Sequence, residues 1–515
     1  MPDGAALVAR SAQSTVASLF QAQVRIYPDR IALDDGAQRV SFVELDERSR
    51  RLVTVLRQRG VKRGARIAIL AENRLEYFEL FFAAARLGAI AACQNWRLAP
   101  PELAHCLDLV EPTVVLVSPR HQAVLESAME SPVDTILFGA PYEELIAAAT
   151  PVNPAFNSAE PEDPLLILYT SGTTGLPKGA VISHRAEVAR NLVMRAEFGF
   201  AVDDSYPVWS PLYHMGGAEY SLSTLMSGGK VMVIDGFDAR RLADIIAAEQ
   251  LGWLIVMPGM INVLIEELKR RDVRPRGVKV CGVMADLVPP SEIAEITELV
   301  GAPYANTFGA TETGGPPGTA NLIPIGVAPT NLSKQQSRFC EIRLVDAEDQ
   351  EVPDGEPGEL CIRGWTLFSG YWRAPEVNAH EFRGGWFHMG DVFVRNPDGT
   401  FDFVDRVKYM IKSGGENIYP AEIERVMMQD SRVAEVAVVR HADEKWGEVP
   451  IAFVAQRGDD LTATVLLERC RAELAGYKQP KGIRFIAYES FPRSASGKVQ
   501  RHELEKLLTE PPADN

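Results

Sequence analysis

The sequence predicts an α/β protein: a large N-terminal domain of parallel α/β sheets that ends in a small β-rich subdomain, then a small C-terminal α+β domain. Three observations lead there. Helical apolar periods alternate with short apolar runs along the N-terminal part, the pattern of strands buried between helices. From Glu341 the texture changes to short strand-like runs divided by Pro-Asp-Gly and Glu-Pro-Gly turns. The 515 residues also exceed one ordinary core, so two or more domains are expected.

Taken in order, Ser41 and Glu44 form a capping box ahead of a helix whose apolar face is Leu45, Leu52 and Leu56, and Gly60 stops it. Ile67–Leu70 reads as the next buried strand, Tyr77–Leu87 as a helix ending at Gly88, and Val114–Val117 as a strand. The alternation returns with Val231–Ile234, Phe237–Glu249, Leu254–Val256, Pro258–Lys269 and Val278–Val280. Glu341–Val345, Glu359–Arg363, Val392–Arg395 and Thr400–Val404 read as the strands of the β-rich subdomain, about 335–404. Val433–Val439, Val449–Val454, a helix near Thr462–Ala475 and Ile483–Ile486 build the last domain. The boundaries are therefore 1–404 and 405–515, with the junction at Asp405–Lys408.

A net charge of -16, from 53 Lys+Arg against 69 Asp+Glu, and the lack of a basic stripe argue against a nucleic-acid partner. The six cysteines form no CxxC pair or metal spacing, which fits a reducing cytoplasm and buried apolar roles. No basic segment followed by an apolar run opens the chain, and no apolar run approaches the roughly 18 residues of a membrane span. A peripheral membrane contact and a homodimer stay open.

Leu165–Tyr169 is an apolar run leading into Thr170, Ser171, Gly172, Thr173, Thr174, Gly175 and then Lys178 and Gly179. Dense hydroxyls and glycines give approachable N–H donors, Lys178 adds a cation, and such a nest suits a polyphosphate. It is not a Walker A loop, because Gly175 stands three residues before the lysine. The stretch Tyr169–Gly179 resembles the signature loop of the adenylate-forming superfamily: acyl-CoA synthetases, firefly-type luciferases and the adenylation domains of peptide synthetases. Further matches follow in the family's order along nearly the whole chain, and the resemblance is to the fatty-acid–CoA ligase-like branch.

Pro211–Gly217 resembles the segment whose histidine, here His214, closes over the acyl pocket, with Gly216, Gly217 and Gly309 as pocket residues. Asn306-Thr307-Phe308-Gly309-Ala310-Thr311-Glu312 is similar to the aromatic-Gly-x-Thr-Glu segment. The resemblance implies that Phe308 stacks on adenine, Thr311 bonds the α-phosphate, and Glu312 holds Mg²⁺. Phe308 stands where Tyr is common, so stacking survives and a hydroxyl bond is lost. Gly390-Asp391 matches the element whose Asp takes the ribose hydroxyls, Arg406 is implied to contact ribose or phosphate, and Lys408 the hinge. Gly414 and Gly415 are implied to line the CoA tunnel, and Lys498 to be the catalytic lysine of a mobile C-terminal domain.

The implied reaction joins a small-molecule carboxylic acid, ATP and CoA in two steps. Acyl-adenylate forms with loss of pyrophosphate, then the CoA thiol displaces AMP. A fatty acid is the first expectation for the substrate, then an aryl or alicyclic acid. The alternatives are an adenylate-forming enzyme with a non-CoA acceptor and an inactive nucleotide-binding protein. Val283-Met284-Ala285-Asp286 departs from the family's small Gly-Ala-Pro-like run, which puts adenine contacts and pocket shape there in question.

Overall fold

The computed structural model describes residues 13–129, 132–170, 176–413, 416–458, 460–493 and 499–509. The chain divides into two compact units, one through Glu341 plus Arg363–Phe382, the other Ile342–Ile362 plus the residues from Arg383 on. The units therefore do not part at residue 404. The β-rich strands group with the C-terminal residues, to which Asp405 ties them by accepting from the Ala421 N–H at 2.8 Å.

The first unit carries three sheets with parallel cores. The largest runs Thr135–Leu137, Val114–Val117, Arg66–Leu70, Ile90–Cys93, Pro164–Thr170, Lys178–Ser183, parallel throughout except for the last, antiparallel pair. A second orders Arg39–Ser41, Ile31–Asp34, Val231–Val233 and Tyr206–Val208, and a third Gln250–Leu254, Gly277–Cys281, Tyr304–Ala305 and Leu322–Ile323. Strands covered on both faces read as unbroken apolar runs, and Ile67, Leu70, Val114, Val117, Leu165 and Ile167 are all fully buried. Helix ends follow local chemistry. Ser41 closes its capping box with Glu44 at the start of Phe42–Gln58, and Gly88, at φ 62°, caps the C-terminus of Glu76–Leu87.

In the second unit Glu341–Val345, Pro357–Arg363, Phe387–Arg395 and Phe401–Arg406 make one sheet. The other orders Glu416–Ile418, Ile411–Ser413, Gly447–Gln456 and Val433–Asp443, with Gly482–Phe485 beside Gly447–Gln456. Alternation decides its two faces. Val436 and Val438 pack with Ile423 and Leu466 of the helices Pro420–Met428 and Ala463–Glu473, whereas Ala437 and Val439 pack with Leu504 of Arg501–Thr509.

One strand lies earlier than its apolar run implies. The strand expected at Leu254–Val256 is instead Gln250–Leu254, which includes Gly252 and shares only Leu254 with the expectation. Glycine usually weakens a strand, but a Cβ here would sit 3.2 Å from Asp204 and 3.4 Å from the Phe200 ring. The loop before Tyr206–Val208 packs against the strand here, with Ser205 bridging Leu251, and leaves little space for a side chain at position 252.

Candidate active site

The phosphate-loop candidate closes an antiparallel hairpin in which Thr170 and Lys178 are direct partners. No helix follows it: Lys178 is the first residue of the returning strand. The hairpin base is pinned by the half-buried Tyr169, whose hydroxyl accepts from Gln94 Nε2 at 2.9 Å and donates to the Cys106 carbonyl at 3.0 Å. Ser171, Gly172, Thr173, Thr174 and Gly175 lie outside the described residues. Lys178 Nζ sits 4.2 Å from the centre of the Tyr371 ring, a cation–π contact.

Tyr371 connects that lysine to the next motif. Its hydroxyl donates to Glu312 Oε1 at 2.7 Å, while the Phe368 N–H donates to the Glu312 carbonyl at 2.8 Å. A carboxylate has several acceptor positions, and a half-buried one suits an oxygen-seeking divalent cation completed by substrate phosphates, so Glu312 fits the expected Mg²⁺. Beneath this segment lies a buried ionic cluster. Arg190, of the helix His184–Phe198, donates from Nε to the Thr366 carbonyl at 2.9 Å and from Nη2 to the Thr311 carbonyl at 3.1 Å. Its Nη1 pairs with Glu219, of the helix Met215–Leu225. Burial pushes the Glu219 carboxyl up to about 7 against the pull of Arg190. Glu187, fully buried nearby, is held well above the usual carboxylate range by burial and by Glu219.

Phe308 and Gly309 belong to the short strand Phe308–Ala310, paired with Gly314–Gly318. Thr307 is half-buried beside Asn306, which is 1 % exposed and donates from Nδ2 to the carbonyls of Leu332 and Ser333. Lys334 Nζ, also buried, donates to Asn306 Oδ1 and lies 2.6 Å from Asp286 Oδ2. This ion pair gives the unusual Val283–Asp286 run a structural part. Met284 there takes φ 53° and ψ 49°, and the Tyr304 hydroxyl donates to the Val283 carbonyl at 2.8 Å.

His214 is exposed at the N-cap of Met215–Leu225. The chain leading to it is held by Asn73, whose Nδ2 donates to Ser210 and Ile234 carbonyls at 2.9 and 3.0 Å and whose Oδ1 accepts from the Leu212 N–H at 2.8 Å. The three pocket glycines differ in what requires them. A Cβ on Gly217 would stand 2.2 Å from the Pro211 carbonyl oxygen, and one on Gly309 2.2 Å from that of Gly314, so backbone approach alone demands both. At Gly216 the nearest atom is Ser210 Oγ at 3.6 Å, which leaves ordinary room.

In the second unit Asp391 and Arg406 are cross-strand partners, and Arg406 Nε lies 3.0 Å from the buried Asp391 Oδ1. Glu359 braces the strand just before Asp391: its Oε1 accepts from the Gly390 N–H at 3.1 Å, and its Oε2 lies 3.1 Å from Nδ1 of the buried His388. Lys408 sits in a short turn, Val407–Tyr409, its carbonyl accepting from Arg440. Gly414, Gly415 and Lys498 lie outside the described residues. Arg493 and Val499 form an antiparallel bridge with each other. Beyond it, Arg501 grips Glu424 at 2.6 Å and covers the Tyr409 ring at 4.4 Å.

The sequence reading missed Tyr371, Arg190, Glu219 and Lys334. A signal existed for two of them. Arg190 shares its helix face with the buried Ala186, Ala189 and Val193, and Glu219 is the one charge in Met215–Leu225; a charge on an apolar face needs a buried partner. Tyr371 and Lys334 stand in irregular segments with no period to betray them.

The chain matches the family model described as AMP-binding enzyme over residues 20–372 and that of the AMP-binding enzyme C-terminal domain over 422–498. It is 32% identical to the indoleacetate–CoA ligase of Aromatoleum aromaticum over 493 residues, covering 93% of this chain and 96% of that one. It is 33% identical to a feruloyl-CoA synthase of an Amycolatopsis species over 489 residues, covering 94% and 97%. Among solved structures it is similar to the o-succinylbenzoate CoA synthetase of Bacillus subtilis in complex with its acyl-adenylate, with a TM-score of 0.83, 26% identity and coverage of 96% and 98%. With two matching family models and CoA-ligase relatives alike over more than nine-tenths of its length, the chain belongs to the AMP-binding enzyme family and is an AMP-forming acid–CoA ligase.

Proposed function

We propose that the protein converts an aryl or arylalkyl carboxylic acid to its CoA thioester through an acyl-adenylate, with ATP and Mg²⁺. The observation that carries the choice of acid is the relatives' substrates: proteins alike over more than nine-tenths of this chain are ligases for indoleacetate and ferulate. Local packing supports it. The Tyr206 hydroxyl donates to the Gly216 carbonyl at 2.6 Å, and the Tyr206 ring meets Tyr220 edge-on, with Tyr220 tilted against Trp253 at 4.7 Å. These rings would shorten a channel that ran past Gly216, which supports a compact flat acid over a long chain. A fatty acid, the first expectation from sequence, thus moves to second place.

In the first step the phosphate loop and Lys178 hold the triphosphate, Thr311 bonds the α-phosphate, and His214 borders the acid. A Mg²⁺ bound at Glu312 supplies neutralisation of phosphate charge. Lys498 bridges the two anions, a carboxylate oxygen bonds the α-phosphorus, and the bond to the β-phosphate breaks to release pyrophosphate. Asp391 and Arg406 take the ribose. In the second step the C-terminal domain turns about Lys408, and Gly414 and Gly415 admit the CoA arm. The thiolate then bonds the acyl carbon as the bond to AMP breaks.

The test is kcat/KM for pyrophosphate release with indoleacetate, ferulate, 2-succinylbenzoate, dodecanoate and a short dicarboxylate. An aryl acid should lead dodecanoate by about 10-fold or more, the scale on which apolar pockets discriminate. Dodecanoate in the lead would overturn the aryl reading and restore the fatty acid.

A further inference from the structure

Arg190 is placed to do more than fill space. It is among the largest fully buried side chains of the protein, and its planar fork meets three acceptors on three different segments. One is the carboxylate of Glu219, five residues beyond His214 on the helix that also carries Gly216. Another is the carbonyl of Thr311, whose neighbour Glu312 is held by Tyr371. The last is the carbonyl of Thr366, in the loop whose Phe368 N–H bonds the Glu312 carbonyl. Gly314 makes room for it: a Cβ there would lie 2.8 Å from the arginine stem, at a backbone φ of 74°. Only a rigid multi-donor cation can join three acceptors in this way; a lysine ammonium is a point charge without the planar fork.

We propose that Arg190, seated by Glu219, is a positioning residue for adenylation: it fixes the Thr311–Glu312 segment relative to the helix that borders the acid. The carboxylate and α-phosphate must meet within a few tenths of an ångström of their reacting separation, and one shared clamp sets the distance between the walls that hold them. The inference rests on the family's adenylation step and not on which acid is used.

The test compares wild type, Arg190→Lys, Arg190→Gln and Glu187→Gln in the full chain, with whichever acid of the panel wild type turns over. Pyrophosphate exchange reads the first half-reaction; thioester formation from supplied acyl-adenylate and CoA reads the second. Arg190→Lys, which keeps the buried charge opposite Glu219, should lose on the order of 10–10²-fold in kcat for exchange, the cost of misplacement by about an ångström. Its KM for ATP should stay within about threefold, and the second half-reaction should fall much less than the first. Glu187→Gln, which leaves the three Arg190 bonds in place, should exchange like wild type. Arg190→Gln should lose at least as much exchange if it folds, and the lysine variant carries the test if it does not. Unchanged exchange in Arg190→Lys, or equal losses in both half-reactions together with a lowered melting temperature, would overturn the proposal.

Discussion

Met284 holds φ 53° and ψ 49°, the left-handed region that costs a side-chain-bearing residue about 1–2 kcal/mol. It does so beside Gly282, where a Cβ would fall 2.0 Å from the Tyr304 ring, and two residues from Asp286 with its Lys334 partner. Met284→Gly should therefore be neutral or stabilise by up to about 1 kcal/mol in urea unfolding, since relief of strain offsets the added freedom of the unfolded chain. A loss above that would mean the side chain, 37 % exposed, does packing that outweighs the backbone. Lys498 carries the sharpest prediction at this scale. Lys498→Ala should lose on the order of 10²–10³-fold in pyrophosphate exchange, like the loss of a transition-state donor, and much less in thioester formation from supplied acyl-adenylate. Equal losses would contradict the alternation of the C-terminal domain. Single residues were legible where a motif named them. A motif draws attention to Asp391, Arg406, Thr311 and Glu312 before any contact is known, whereas Arg190 and Tyr371 make their contacts through carbonyls, carboxylates and a ring that no linear pattern records.

Elements were legible where their stabilising interactions are local. The Ser41–Glu44 box and the Gly88 cap lie within a few residues of what they stabilise, and both appear as expected. The strand at Gln250–Leu254 was misplaced because its glycine answers to Phe200 and Asp204, distant in sequence. A similar long-range tie governs the helix Val16–Ile26, whose first N–H donates to Nδ1 of His184 at 3.2 Å. Burial pushes that imidazole down to about 4, against a weak opposing pull from Asp163. A lowered histidine pKa stabilises the fold above the unfolded value of about 6.5, and that stability is lost as pH falls toward 4. Melting temperature should drop more steeply between pH 6.5 and 4.5 in wild type than in His184→Asn, whose amide oxygen keeps the acceptor without titrating. Parallel slopes would show that other groups carry the acid sensitivity.

At the scale of the whole molecule, the change of texture at Glu341 was visible in the turns, but the assignment of that β-rich segment was not. Short antiparallel strands pair in whatever way their backbones allow, and here they group with the C-terminal residues. Among the described residues no helix is long and apolar enough to cross a membrane. The acid was the least legible feature. Of the glycines taken as signs of pocket space, Gly217 and Gly309 answer to nearby backbone carbonyls, which composition alone does not reveal.

The most direct measurement is product stoichiometry for wild type with an aryl acid such as indoleacetate, ATP, Mg²⁺ and CoA. One thioester, one AMP and one pyrophosphate per turnover, with thioester absent when CoA is withheld, are expected. ADP and phosphate in place of AMP and pyrophosphate, or AMP without any thioester, would contradict the account.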